Sequence, residues 1–145
     1  MWVFTIYGFF SVVNKTDQNP NNGLPDIDST EQIIEVRSRY REHLESLKER
    51  FNEQIGGAEI LGYDDPGSPY LNGDYEYRII ISAEDWVHLG AMLSADVTYY
   101  DFKDELFETI KENPSLSATP YLSQVDKVYD SVQNEDRWVY DGPLN

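Results

Sequence analysis

Apolar positions crowd the opening of the chain. In MWVFTIYGFFSVVN, residues 1–14, Trp2, Phe4, Ile6, Phe10 and Val12 fall on one side of an extended chain. Val3, Tyr7, Phe9 and Val13, with Thr5 and Ser11, fall on the other. Side chains alternate faces along a strand, so a strand apolar on both belongs in the middle of a covered sheet. One central strand over residues 2–13 is the first expectation. Residues 15–27, KTDQNPNNGLPDI, read as a long exposed loop because Asn, Pro, Gly and Asp dominate them, with Asn22-Gly23 a candidate tight turn.

Asp28 and Glu31 have the spacing of a capping box. Ile33, Val36, Tyr40, Leu44, Leu47 and Phe51 then recur at steps of three and four, predicting a helix to about residue 54. Gly56-Gly57 supplies a left-handed cap. On that helix Glu35 with Arg39, and Arg41 with Glu45, sit one turn apart and pair at the surface.

Residues 58–63, AEILGY, predict a second strand, and 64–74, DDPGSPYLNGD, a loop. Residues 75–82, YEYRIIIS, predict a third strand with Tyr75, Tyr77, Ile79 and Ile81 on one face and Glu76, Arg78 and Ile80 on the other. Ser82, with Asp85 three residues on, caps a helix whose inner face is Trp86, Leu89 and Leu93. Residues 96–100, DVTYY, are a candidate fourth strand. Asp101 caps a helix carrying Phe102, Leu106 and Ile110 that stops before Pro114. A linker over 115–119 leads to Thr119-Pro120, which opens a last helix with the stripe Leu122, Val125, Val128, Tyr129 and Val132. The tail EDRWVYDGPLN packs through Trp138 or frays.

This order predicts an α+β protein with a ferredoxin-like βαββα(β) core and two additional C-terminal helices. The first and third strands, apolar on both faces, take the central places of that topology. One domain over 1–145 is expected, with its core at about 1–112 and a C-terminal helix and tail at about 119–145. The extra helices cover the open sheet face; a second copy covering it, giving a homodimer, is the competing arrangement.

Four stretches, MWVFTIYGFFSVV, EVRSRYREHLESLKERF, YRIIISAEDW and YYDFKDEL, together resemble a family of small uncharacterised bacterial proteins. Members open with W-x-F-T-x-x-G-F-[FY]-S. They carry an Arg-rich helix like residues 36–41, a Tyr-Arg strand with a downstream Trp, and a Tyr-x-x-Phe-Lys segment like residues 99–103. The resemblance implies no activity and carries over no catalytic residue. The long Asn/Pro loop and the acidic tail depart from it.

Charge narrows the functional classes. The chain has a net charge of −16, which repels bare nucleic acid and anionic membrane. Between Glu31 and Glu53 there are six acids and five bases, so the rest of the chain carries almost all of the negative charge. The absence of cysteine excludes disulfides, thiolate zinc sites, iron–sulfur clusters and Cys nucleophiles. The N-terminus lacks the basic region and cleavage site of a signal peptide and is too short an apolar run to cross a bilayer, so a cytoplasmic protein is expected.

No cofactor or metal motif is found. His43 and His88 are lone helical histidines, more often partly buried than catalytic. Asp64 to Glu76 has the acidic ends of a calcium loop without its internal ligands, and Asp26-Ile27-Asp28 is explained by capping. Gly23, Gly56-Gly57 and Gly67 fit neither a P-loop nor a dinucleotide fingerprint, and Ser11, Ser29 and Ser82 lack a nucleophile elbow. Tyr75 and Tyr77 are ringed by acids, against direct RNA binding.

Three functions are compatible with these residues. The first is a non-enzymatic interaction or structural domain with an unidentified protein partner. The second is an acidic mimic of nucleic acid that inhibits a DNA- or RNA-binding protein. The third is a small-anion site at Arg37 and Arg41, neighbours on one helix flank, with Tyr7 or Tyr40 adding a hydroxyl and Lys103 a charge. Against the third, the arginines pair with nearby carboxylates.

Overall fold

The computed structural model describes residues 1–15, 32–62 and 74–133. The predicted loop over 15–27 (beyond Lys15), the Asp28–Glu31 box, most of the 64–74 loop and the C-terminal tail lie outside them. The protein is α+β: five strands, β1 (Trp2–Thr5), β2 (Gly8–Asn14), β3 (Ile33–Ser38), β4 (Leu61–Gly62) and β5 (Tyr77–Ser82), form one sheet in the order β1-β2-β3-β5-β4, every pair antiparallel, with six helices among the described residues.

The opening stretch is a hairpin, not one strand. β1 (Trp2–Thr5) lies at the sheet edge and β2 (Gly8–Asn14) beside it, with Thr5 opposite Gly8. The Thr5 hydroxyl donates to the Gly8 carbonyl at 3.0 Å and accepts from the Tyr7 N–H at 3.1 Å, closing the turn. The reversal moves Trp2 and Phe4 onto the face of Phe9 and Ser11, away from Phe10 and Val12. Phe4 stacks on Phe9 with centroids 4.4 Å apart, and Trp2 is 71% exposed.

The predicted helix starts as a strand. β3 (Ile33–Ser38) occupies the sheet centre between β2 and β5 (Tyr77–Ser82). IIEVRS fits both a helical and an alternating pattern, and its β-branched residues favour the pleated surface when strands are available on both sides. α1 (Arg41–Arg50) and α2 (Asn52–Ile55) come next. Gly56 is right-handed, at φ −58°, and its N–H donates to Asn52 O at 2.9 Å, so it continues the helix rather than capping it left-handed. β4 (Leu61–Gly62) is a two-residue edge strand inside the predicted 58–63 segment, whose last residue is not described.

These two changes remove the ferredoxin-like order, in which the first and third predicted strands form the central pair. They arise because a hairpin and an added central strand replace one long strand and the first turns of a helix.

Later elements obey their local signals more closely. Ser82 caps α3 (Ala83–Ala95) by accepting from the Asp85 N–H at 3.0 Å. Asp101 caps α4 (Phe102–Glu112) by accepting from Lys103 and Asp104 N–H at 2.9 and 3.1 Å. Residues 96–100 are no strand: Asp96 ends α3, and residues 97–100 lie outside the sheet. The predicted linker holds a turn of helix, α5 (Pro114–Ser117), capped by Asn113 and burying Leu116. In α6 (Tyr121–Gln133) the buried residues are Tyr121 and Val125, with Leu122 and Tyr129 beside them, while Val128 and Val132 are exposed.

The main core lies on one face of the sheet. Phe10, Val12, Ile34, Val36, Ile79 and Ile81 meet Leu44, Leu47, Phe51 and Leu89 from the helices. Phe9, facing the other way, packs with Leu106, Tyr121 and Val125 of α4 and α6. Tyr121 ties α6 to the hairpin, its hydroxyl lying 2.7 Å from Thr5 O and 2.9 Å from Gly8 O.

Candidate anion-binding site

Register builds the site. Ser11 stands opposite Arg37, and Arg37 opposite Arg78, so three polar residues from β2, β3 and β5 form one row on the sheet face away from the main core. Glu35, two residues before Arg37, shares that face. Its carboxylate is 1% exposed, and the Arg78 side chain is 7% exposed.

Hydrogen bonds fix the arrangement. Arg78 Nη1 donates to Glu35 Oε1 at 3.2 Å and its Nη2 to Tyr75 O at 2.9 Å. Arg37 Nη2 donates to Ser11 Oγ at 2.8 Å, while its Nε lies 3.9 Å from Glu35 Oε1, an ion pair beyond hydrogen-bond range. Glu35 Oε2 and Arg37 Nε are buried without a hydrogen-bond partner. Arg37 and Arg39 both lie over the Tyr75 ring, their guanidinium carbons 4.9 and 5.8 Å from its centroid. Two guanidiniums, Arg37 and Arg78, thus face one carboxylate, with Arg39 nearby over the Tyr75 ring, in a chain of net charge −16. Arg37, 24% exposed along its side chain, is the member of the row that water reaches most.

The other residues singled out by sequence lie elsewhere. Because Arg37 is in a strand and Arg41 in α1, their four-residue spacing does not make them neighbours. Arg41 pairs with Glu45 at 3.1 Å, the predicted surface pair. The Glu35–Arg39 pair does not form, since Glu35 turns toward Arg78. Tyr40 receives a 3.4 Å bond from Gln124 Nε2, and Lys103 pairs with Asp126 at 2.7 Å over the Tyr129 ring.

Tyr7 joins a separate clamp. Its hydroxyl donates to Asp96 Oδ2 at 2.6 Å, and Arg50 binds Asp96 through Nε at 3.1 Å and Nη2 at 2.8 Å. Burial, then the Asp96 bond, pushes the Tyr7 phenol up to about 12. The clamp borders a largely apolar cavity of about 340 Å³ between the hairpin and α3, lined by residues including Val3, Trp86 and Leu93.

His43 is a buried junction. The Phe9 N–H donates to Nδ1 at 3.3 Å, so Nδ1 carries no proton, and Nε2 donates to Thr119 Oγ1 at 3.3 Å. The Thr119 hydroxyl in turn donates to Leu116 O at 2.8 Å. Ser38 Oγ lies 3.2 Å from Nδ1. Burial pushes the imidazole down to about 4. The Ser38 and His43 side chains are both closed to solvent, which makes the pair a structural element linking β2, α1 and the start of α6 rather than a nucleophile and its base.

Sequence reasoning found Arg37 but missed Glu35, Ser11 and Arg78 as its companions. A signal existed for Arg78: the alternation of β5 sets it on the face opposite Ile79 and Ile81. Among the described residues no group of three His, Asp or Glu is placed to hold a metal, and no helix is long and apolar enough to cross a membrane. No protein-family model matches the chain, and no curated protein or solved structure matches it either.

Proposed function

We propose that the protein is a non-enzymatic recognition module that takes an oxyanion, carboxylate or phosphoryl, carried by a partner protein, at Arg37. The observation that carries this reading is the Ser11–Arg37–Arg78 row, an excess of guanidinium on a chain otherwise strongly acidic. The three strands hold the row rigidly, and Glu35 fixes the guanidiniums from below. Arg37 is already oriented by Ser11 and the Tyr75 ring, so little rotamer freedom remains to be lost on binding. Beyond its Nη2 bond to Ser11, the planar guanidinium carries further N–H donors of the kind that carboxylate and phosphate oxygens accept. Arg39 adds a second, exposed charge over the same ring.

Inorganic phosphate and acetate, titrated separately against the protein while side-chain Arg resonances are followed, test the reading. Saturable shifts at Arg37, lost in Arg37→Gln, weakened in Arg39→Gln and retained in Arg41→Gln, are expected. Equal responses of Arg37 and Arg41 to both anions, or no saturable response, would overturn it.

A further inference from the structure

β1 is an open edge of unusual composition. Nothing among the described residues pairs with its outer side. Edge strands are ordinarily protected by Lys, Pro or a bulge, and WVFT contains none of these. The edge is also uncharged in a chain of net charge −16, so two copies meeting here bring no strand carboxylates together.

The direction of the free backbone groups is set by the hairpin. Met1 and Val12 exchange both backbone bonds, Met1 N to Val12 O at 2.8 Å and Val12 N to Met1 O at 2.7 Å. Antiparallel pairs alternate, so Val3 with Phe10 and Thr5 with Gly8 are the next bonded pairs. The N–H and C=O groups of Trp2 and Phe4 therefore point outward.

We infer that β1 pairs with β1 of a second copy, antiparallel and centred on Val3. In this register Trp2 of one copy bonds Phe4 of the other, both ways, and the two Val3 residues form the central non-bonded pair. All outward groups of Trp2 and Phe4 are then satisfied. The contact is isologous, so it closes at a dimer with a continuous sheet. Side chains match the register. Trp2 and Phe4, 71% and 41% exposed, cover one another across the junction. On that face they adjoin an apolar cavity of about 330 Å³ lined by Tyr99, Phe102 and Val128. On the other face the two Val3 side chains extend the apolar cavity beside Trp86 and Leu93.

Sedimentation of the full chain over a range of concentrations and salt tests the inference. A monomer–dimer equilibrium that tightens as salt screens the like net charges is expected, with Trp2→Lys at least about tenfold weaker. The natural chain has no cysteine, so Val3→Cys reports the register directly. Its two thiols would stand at a non-bonded pair with Cα atoms about 4.5 Å apart, inside disulfide range, and oxidation would give a covalent dimer. A monomer under all conditions, a dimer indifferent to Trp2→Lys, or a Val3→Cys dimer that fails to cross-link would each overturn the inference. Reduced Val3→Cys, uncharged and on the sheet face away from the Ser11–Arg37–Arg78 row, leaves the Arg37 response to phosphate unchanged, so this test and that of the anion site are independent.

Discussion

Arg78 Nη1 reaches Glu35 Oε1 at 3.2 Å with both side chains withdrawn from water, 7% and 1% exposed, although the two lie 43 residues apart. A second guanidinium, Arg37, faces the same oxygen. Breaking a buried pair from one side leaves charge in a poor solvent, a cost of about 3–5 kcal/mol. Glu35→Gln is therefore expected to lower unfolding stability by about 3 kcal/mol in urea titrations. Replacing Glu35 by Leu and Arg78 by Met together is expected to cost less than Glu35→Leu alone, because the double change removes charge of both signs.

Arg41 supplies the contrast. It pairs with Glu45 across an exposed helical turn, both side chains more than 40% accessible. Exposed pairs contribute little, so Arg41→Gln is expected to change stability by less than about 0.5 kcal/mol. The same urea titrations read it against the Glu35 variants.

The His43 imidazole makes stability depend on pH in a defined window. Its pKa in the fold is about 4, pushed down from 6.5 by burial. Below pH 6.5 the unfolded chain takes up a proton that the folded chain refuses. Stability therefore falls as pH drops from 6.5 toward 4 and this contribution then levels off. The full effect is about 3 kcal/mol, since each tenfold loss of proton affinity on folding is worth about 1.4 kcal/mol. Unfolding monitored at pH 7 and pH 4.5 in the natural chain and in His43→Gln isolates it: the variant loses less stability between the two.

Gly8 has a φ of +147°, and a Cβ added there would lie 2.6 Å from His43 Cβ. Backbone strain and steric overlap coincide at the residue that closes the hairpin. Gly8→Ala is expected to cost at least about 2 kcal/mol. Thermal unfolding measures it, with Gly57→Ala, where a Cβ meets nothing within 4 Å, as the control.

Tyr7 sets the alkaline limit. Its phenol ionises at about 12 in the fold against 10 in an unfolded chain. The stabilisation that its protonated form provides is complete below pH 10 and is lost as pH rises through 12. Tyr121, also pushed up by burial, acts in the same direction. Stability in Tyr7→Phe, measured by circular dichroism, is expected to fall less steeply above pH 10 than in the natural chain.

The differences between the expected and the observed elements have a common origin. Residues 33–38 satisfy a helical stripe through Ile33 and Val36 and a strand pattern through Ile34, Val36 and Ser38. Glu35 and Arg37 tip that balance toward a solvated helix, since charge is normally exposed. Their burial depends on Arg78 arriving from β5 and Ser11 from β2. The opening hairpin is hidden because its two turn residues, Ile6 and Tyr7, are apolar; the Thr5 and Gly8 that frame them are the available sign. His43 looks like an ordinary helical histidine in sequence, and its partners Phe9 and Thr119 are 34 and 76 residues away.

By itself the sequence determined the α+β class, the Ser82 and Asp101 caps, the inner face of α3 and the alternation of β5. Those features depend on groups within about four residues of one another, and hydrogen bonds at that range form wherever the chain goes. Tertiary structure alone decided the central place of β3, the edge position of β1, the row of Ser11, Arg37 and Arg78, and the burial of His43. Each of these weighs desolvation against partners far along the chain, and that balance exists only once the strands have been brought side by side.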